Sequence, residues 1–304
     1  MEVSLIIPLY NEAENVSALI SSLNHLKKDL PKKCEVIFVD DGSNDKTALL
    51  LQKQKLLFPK TIIQFSRNFG HQAALLAGLK QARGKYVVTL DGDLQHPLQL
   101  IPKMLAQHKR GIDIVLTKRI DKNLNTHFKK ISAHLFYSIM SRLSSTPIIE
   151  NASDFRSLNR KALSALLAMP EHRQFLRGMV SWIGFSSIVL PFEVQPRKAG
   201  KSKYSLLKMI NLALYGLTSF STAPLYFAGF FSFILFITAL IYAGYVLYIK
   251  LIIHQTVSGW ASLLFVLLTI GGFLCLFLSI IGIYLAAIYD EVKQRPIYVI
   301  KKMA

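Results

Sequence analysis

The sequence predicts an α/β fold with a mostly parallel sheet, followed by interfacial amphipathic helices and two C-terminal transmembrane helices. Three observations predict it. Short apolar, β-rich runs alternate with helical stretches between residues 4 and 96, the pattern of right-handed βαβ units. Acidic or polar clusters end the first, second and fourth of these runs, which places them on one edge of the sheet. Two uncharged runs close the chain, about 25 residues at 225–249 and about 30 at 260–289. Each exceeds the roughly 20 residues that span a bilayer.

Ser4 to Pro8 is the first strand, ending in Leu9-Tyr10-Asn11-Glu12, and Asn15 to Leu26 has helical apolar spacing. Glu35 to Val39 is the second, ending in Asp40-Asp41-Gly42-Ser43, with Asn44 and Asp45 placed to cap the next helix. Thr61 to Phe65 is the third, followed by Ser66-Arg67-Asn68-Phe69-Gly70 and a helix through Gln81. Tyr86 to Leu90, bounded by Gly84, is a buried parallel strand that runs into Asp91-Gly92-Asp93-Leu94-Gln95. No Gly-x-Gly-x-x-Gly follows the first strand and no Gly-x₄-Gly-Lys-Ser/Thr loop is present. The dinucleotide oxidoreductase and P-loop classes thereby lose their main support.

Asp91 and Asp93, spaced i, i+2 at a strand end, face the crevice where open α/β sheets bind ligands. Hard carboxylate oxygens suit Mg²⁺ or Mn²⁺, ions that bridge one or two carboxylates to substrate phosphates. With Gln95 two residues on, this spacing points to a metal–diphosphate site, against the alternative of a solvated turn.

The motifs Ile7-Pro8-Leu9-Tyr10-Asn11-Glu12, Val39-Asp40-Asp41-Gly42-Ser43, Ser66-Arg67-Asn68-Phe69-Gly70 and Asp91-Gly92-Asp93-Leu94-Gln95-His96-Pro97 resemble those of family 2 glycosyltransferases. More narrowly, the chain resembles polyprenyl-phosphate sugar transferases, and among these the bacterial undecaprenyl-phosphate glucosyltransferases. Ala152-Ser153-Asp154-Phe155-Arg156, Phe175-Leu176-Arg177-Gly178 and Arg197 to Ser205 extend the likeness over nearly the whole chain. The resemblance implies a Rossmann-like GT-A domain over 1–195 and a metal held by Asp91, Asp93 and Gln95. It implies nucleotide-sugar contacts from Pro8, Tyr10, Asn11, Glu12, Asp40, Asp41, Ser66, Arg67, Asn68, Gly70, His71, Asp91 and Gly92. It counts Asp154, as base, and Asp93 as catalytic. For Asp154 a hydrogen-bonding or charge-positioning role stays open, as does a plain ion pair with Arg156. Arg119, Lys129, Lys130, Ser132, Arg197, Ser202 and Lys203 are the expected contacts of the acceptor phosphate.

Composition locates the chemistry. Of 304 residues 52% are hydrophobic, the mean hydropathy is +0.35 and the formal charge is +18. No charged n-region precedes the first strand, so no signal peptide is expected. Between the two spans lie only Lys250 and His254, whereas the outer flanks carry Arg197, Lys198, Lys201, Lys203 and Lys208, then Lys293, Arg295, Lys301 and Lys302. The positive-inside rule puts both flanks in the cytoplasm of a bacterial inner-membrane protein. The basic surplus next to a membrane hairpin reads as contact with anionic lipid rather than nucleic acid. Segments 205–220 and 128–143 have the apolar spacing of interfacial helices. The division is then 1–195, a juxtamembrane stretch 196–223, a hairpin 224–290 and a tail 291–304. Cys34 and Cys275 have no metal-ligand spacing and read as packing residues. The tail segment Arg295 to Ile300 is β-prone and needs a sheet edge, either its own or a neighbour's. A homo-oligomer partly stitched by this tail is the expectation.

The expected reaction is inverting transfer of a hexose, glucose first, from a nucleotide-diphosphate sugar to the phosphate of a polyprenyl phosphate. Other nucleotide sugars (GDP-mannose, UDP-N-acetylhexosamine, a UDP-aminoarabinose derivative) remain alternatives. A flippase and a periplasmic glycosyltransferase would use the product. Processive synthases carry Gln-x-x-Arg-Trp, but here Gln174-Phe175-Leu176-Arg177 is followed by Gly178. The non-enzymatic alternative is a membrane subunit that only binds sugar nucleotides.

Overall fold

A computed structural model describes residues 1–120, 153–172, 175–193, 222–248, 251–252 and 259–304. The expected interfacial helices at 128–143 and 205–220 lie outside these residues. Among the described residues seven strands precede the apolar helices: β1 (Val3–Leu9), β2 (Cys34–Asp40), β3 (Lys60–Phe65), β4 (Tyr86–Thr89), β5 (Ile114–Ile120), β6 (Arg156–Asn159) and β7 (Ser187–Glu193). An eighth, β8 (Ile300–Met303), follows them, and the sheet order is β7-β5-β6-β4-β1-β2-β3-β8. The pairs β1–β2, β1–β4, β2–β3 and β5–β7 are parallel, and β4–β6, β5–β6 and β3–β8 are antiparallel.

The four predicted strands are all present, within a residue or two of their expected ends. Every residue of β1, β2 and β4 is buried, because both faces of this part of the sheet are covered. Val3, Leu5, Ile7 and Leu9 pack on one side with α1 (Ala13–Leu26) and α4 (Leu100–Lys109). Ile6 packs on the other with α3 (His71–Gln81), α5 (Arg160–Leu167) and α6 (Leu176–Trp182). Each such aliphatic side chain removed from water contributes about 1.5–3 kcal/mol.

The short helix α2 (Thr47–Lys53) begins where expected, but its capping differs. Asp45 Oδ1 accepts from Thr47 N at 2.9 Å, and its Oδ2 accepts from Ala13 N at 3.1 Å, so one carboxylate serves the first turns of α1 and α2. Asn44 caps nothing; its N–H donates to Asn11 Oδ1 at 2.9 Å.

Helices α7 (Ala223–Tyr248) and α8 (Trp260–Lys293) are long and apolar enough to cross a membrane, over Leu225–Tyr245 and Val266–Lys293. Neither apolar stretch is buried against the rest of the chain. Gln294, left-handed at φ 47°, ends α8.

The tail then returns to its own sheet. Ile297 and Tyr298 pack on the α3-side core, and Tyr298 stacks on Phe65 at 4.9 Å. Ser66 N donates to Val299 O at 3.0 Å, and β8 pairs with β3. The expected strand is therefore shifted toward the C-terminus, because Ile297 and Tyr298 are used for packing before pairing begins. With the β3 edge filled from within the chain, the tail no longer argues for a homo-oligomer.

Candidate active site

Three loops at the C-terminal ends of β1, β2 and β3 are tied to one another through side chains. Asn11 N donates to Ser43 Oγ at 2.9 Å and Glu12 N to Thr47 Oγ1 at 2.9 Å. Asp41, 3% exposed, accepts from Phe69 N at 2.7 Å and Gly70 N at 2.9 Å. Gly42 sits at φ +66° where a Cβ would lie 2.3 Å from the Arg67 carbonyl carbon, so only glycine lets these loops meet. Burial pushes the Asp41 carboxyl up, and the Phe69 and Gly70 amides oppose that shift. Asp40, fully buried, is pushed up by burial too, although Ser43 N donates to its Oδ1 at 3.2 Å.

The Asp91–Gln95 loop follows β4. Gly92 lies on Leu9 of β1, with room there for no side chain unless Leu9 moves. Leu94 turns through φ 62°, a left-handed conformation that costs a non-glycine residue about 1–2 kcal/mol, with its side chain buried in the core. The turn lets Asp93 Oδ1 accept from Gln95 N at 3.2 Å. Asp91 N donates to Nδ1 of the buried His96 at 3.1 Å. The neutral ring then carries its proton on Nε2, which lies 3.0 Å from Ser153 Oγ and 3.6 Å from Asp91 Oδ2. Burial holds the His96 pKa down, which keeps that neutral form.

Asp154 is 4% exposed and meets Arg156 at 2.5 Å and Arg177 at 2.7 Å. Burial alone would raise its pKa; Arg177, His71 and Arg156 outweigh it and hold the carboxyl well below the usual range. His71 Nε2 lies 3.4 Å from Asp91 Oδ1 and 3.6 Å from Asp154 Oδ2. Burial opposes its charge, yet the two carboxylates prevail and its pKa is raised. Arg119 Nη2 stands 3.7 Å from Asp91 Oδ2.

The structure thus brings Asp91, His71, Arg119 and Asp154 into one cluster, beside the loops of Asp40, Asp41 and Ser66–Gly70. Arg119, expected at the acceptor phosphate, is found against Asp91. Pro8 is buried within β1 in register with Val39. Lys129, Lys130, Ser132, Arg197, Ser202 and Lys203 lie outside the described residues. His96, Ser153 and Arg177 are additions: each stands inside a motif quoted from the sequence, but only packing gives it a partner.

No group of three or more His, Cys, Asp and Glu among the described residues is arranged to hold a metal ion. Asp91 Oδ1 is nevertheless buried without a hydrogen-bond partner. His71 Nε2 stands 3.4 Å from that oxygen without hydrogen-bonding it, so its lone pairs are left unsatisfied. Asp91, with Asp93 two residues on, offers the hard oxygen donors that suit a divalent ion.

The sequence profile of glycosyl transferase family 2 matches residues 4–167, and the chain belongs to that family. It is 37% identical over 303 residues to an uncharacterized glycosyltransferase of Bacillus subtilis, YkcC, covering 99% of this chain and 94% of that one. It is 34% identical to the SfII prophage-derived bactoprenol glucosyl transferase of Shigella flexneri, covering 99% and 98%. Among solved structures, residues 1–349 of S. aureus TarS with UDP-GlcNAc are 20% identical with a TM-score of 0.49. That match covers 72% of this chain and 67% of the other, a likeness too slight to bear on function.

Proposed function

We propose that this chain transfers glucose from UDP-glucose to the phosphate of undecaprenyl phosphate, inverting the anomeric centre, at the cytoplasmic face of a bacterial inner membrane. The observation that carries the reading is the 34% identity to a bactoprenol glucosyl transferase, which spans the catalytic domain and both apolar helices. The return of β8 to β3 supports a hairpin topology, with both outer flanks of the helices on the side of the catalytic domain.

Asp91 and Asp93 would hold Mg²⁺ or Mn²⁺, which would offset charge developing on the leaving diphosphate. Asp41 shapes the donor pocket by fixing the Phe69–Gly70 turn. Arg119 places positive charge beside Asp91, and His71 stands between Asp91 and Asp154, where a diphosphate held by that ion would come close to both. The acceptor phosphate is already anionic near neutral pH, by analogy with a phosphate ester of second pKa about 6. Alignment and charge compensation, rather than deprotonation, are what the protein supplies. Direct attack from the face opposite the leaving group gives a β-linked product from an α-linked donor.

The test is purified protein with undecaprenyl phosphate and, in separate reactions, radiolabelled UDP-glucose, UDP-N-acetylglucosamine and GDP-mannose. Label in a lipid product from UDP-glucose alone is expected. Label from another donor would correct the sugar, and no lipid product from any donor would sink the reaction.

A further inference from the structure

Both carboxylate oxygens of Asp154 are occupied by guanidinium groups. Oδ1 accepts from Arg156 Nη2 at 2.5 Å and from Arg177 Nε at 3.1 Å; Oδ2 accepts from Arg177 Nη2 at 2.7 Å. The Arg177 contact is a two-point fork, the arrangement that most restricts a guanidinium. The two arginines are not equivalent. Arg156 is 3% exposed and its other amino group donates to Leu176 O at 3.1 Å, so it belongs to the core. Arg177 keeps 33% of its side chain exposed.

A general base needs a lone pair within hydrogen-bond reach of the proton that it takes. Asp154 offers little of that: it is buried, and each oxygen already accepts from an arginine. Two guanidinium groups thus share the one carboxylate of Asp154, and the next carboxylate of the cluster, Asp91, lies beyond His71. The half-exposed Arg177 lies next to the candidate site, since Asp154 Oδ2 is 3.6 Å from His71 Nε2 and His71 is 3.4 Å from Asp91 Oδ1. A cation so placed suits an anionic ligand.

We propose that Asp154 is a positioning residue, whose buried carboxylate locks Arg177 so that the guanidinium meets a phosphate of one substrate. The proposal rests on the transfer reaction above. The phosphate belongs either to the donor diphosphate or to the lipid acceptor, chemistries that Arg177 would recognise in the same way.

The experiment compares Asp154→Asn, Arg177→Ala, Arg177→Lys and the double variant Asp154→Asn/Arg177→Ala with the unaltered full chain. Arg177→Ala should lower kcat/KM by roughly 10- to 150-fold, the worth of a charge-assisted hydrogen bond to phosphate. Arg177→Lys keeps the charge without the fork and should recover only part of it. Guanidine added to Arg177→Ala should restore some turnover, whereas Asp154→Asn, which still carries the arginine, should gain nothing. The double variant should be no worse than the poorer single variant, because Asp154 acts through Arg177.

A rise in KM for UDP-glucose assigns the donor phosphate; a rise in KM for undecaprenyl phosphate assigns the lipid. Losses that multiply in the double variant would overturn the proposal, as would an acid limb of the kcat/KM–pH profile that disappears with Asp154→Asn. If Asp154→Asn does not fold, Arg177→Ala decides, and activity within twofold of the unaltered chain overturns it. A chain that makes no lipid product refutes the reaction itself. The inference is then decided by the binding of UDP and of undecaprenyl phosphate, and stands only if Arg177→Ala weakens one of them.

Discussion

Asp41 reaches across from the end of β2 to take the backbone N–H of Phe69 at 2.7 Å, joining the loop after one strand to the loop after the next. A second bond to Gly70 N at 2.9 Å uses the other oxygen. The carboxylate is thus a latch within the protein.

Asp41→Ala should therefore lower stability as well as donor affinity. It leaves two amides in a partly buried turn without an acceptor, at about 1–3 kcal/mol for each that water does not reach. Thermal unfolding and calorimetric titration with UDP-glucose check this. A stable variant that loses only donor affinity would mean that Asp41 touches the nucleotide directly.

Asp93→Ala should abolish turnover, because one of the two carboxylates offered to the cation is lost. Excess chelator should do the same to the unaltered chain, and added Mg²⁺ or Mn²⁺ should restore activity to that chain only. Near-normal turnover with chelator present would remove the metal from the site.

His108 predicts an acid sensitivity unrelated to catalysis. It is 6% exposed, with Nδ1 2.8 Å from Ile112 O and Nε2 2.8 Å from Ser157 Oγ, and burial holds its pKa below 6.5. The unfolded chain takes up this proton first as pH falls. The contribution of His108 is therefore complete above about pH 6.5 and is lost as pH falls toward the depressed native value. The unfolding temperature should drop as pH falls below about 6.5, and His108→Gln should flatten part of that slope. An unchanged slope would place the sensitivity elsewhere.

Truncation after Gln294 removes β8 and Tyr298, uncovering the β3 edge and the ring of Phe65. The expected result is a lower unfolding temperature and a weaker grip on UDP-glucose, since Val299 O holds Ser66 N at the start of the donor loop. Tyr298→Ala should reproduce part of the stability loss, about 1–3 kcal/mol. Unchanged unfolding in the truncated chain would show that the pairing contributes nothing.

The hairpin topology predicts opposite labelling at its two ends. A cysteine replacing His254 should react with an impermeant reagent added from the periplasm, and one replacing Lys302 only from the cytoplasm. Reversed labelling would overturn the orientation.

The sequence by itself determined what depends on local periodicity. Strands β1 to β4 carry dense apolar runs closed by polar clusters, and α7 and α8 are uncharged over lengths that water does not tolerate. Strand β6 was not legible, because Arg156-Ser157-Leu158-Asn159 is short and polar and is a strand only through its pairing with β4 and β5. The acidic residues at 40, 41, 91 and 93 were legible because they stand where apolar strand runs end.

Only the tertiary structure decided their partners. Asp154 and Arg177 are 23 residues apart and meet because β6 and the helix α6, which covers one face of the sheet, contribute to the same core cluster. His71 comes between Asp91 and Asp154 because α3 starts beside the end of β4. The tail could have paired with any exposed edge, and it lies on β3 because the Tyr298 ring finds Phe65 there. Hydrophobic patterning specifies which face of an element is buried, whereas the meeting of two polar side chains depends on where distant loops converge.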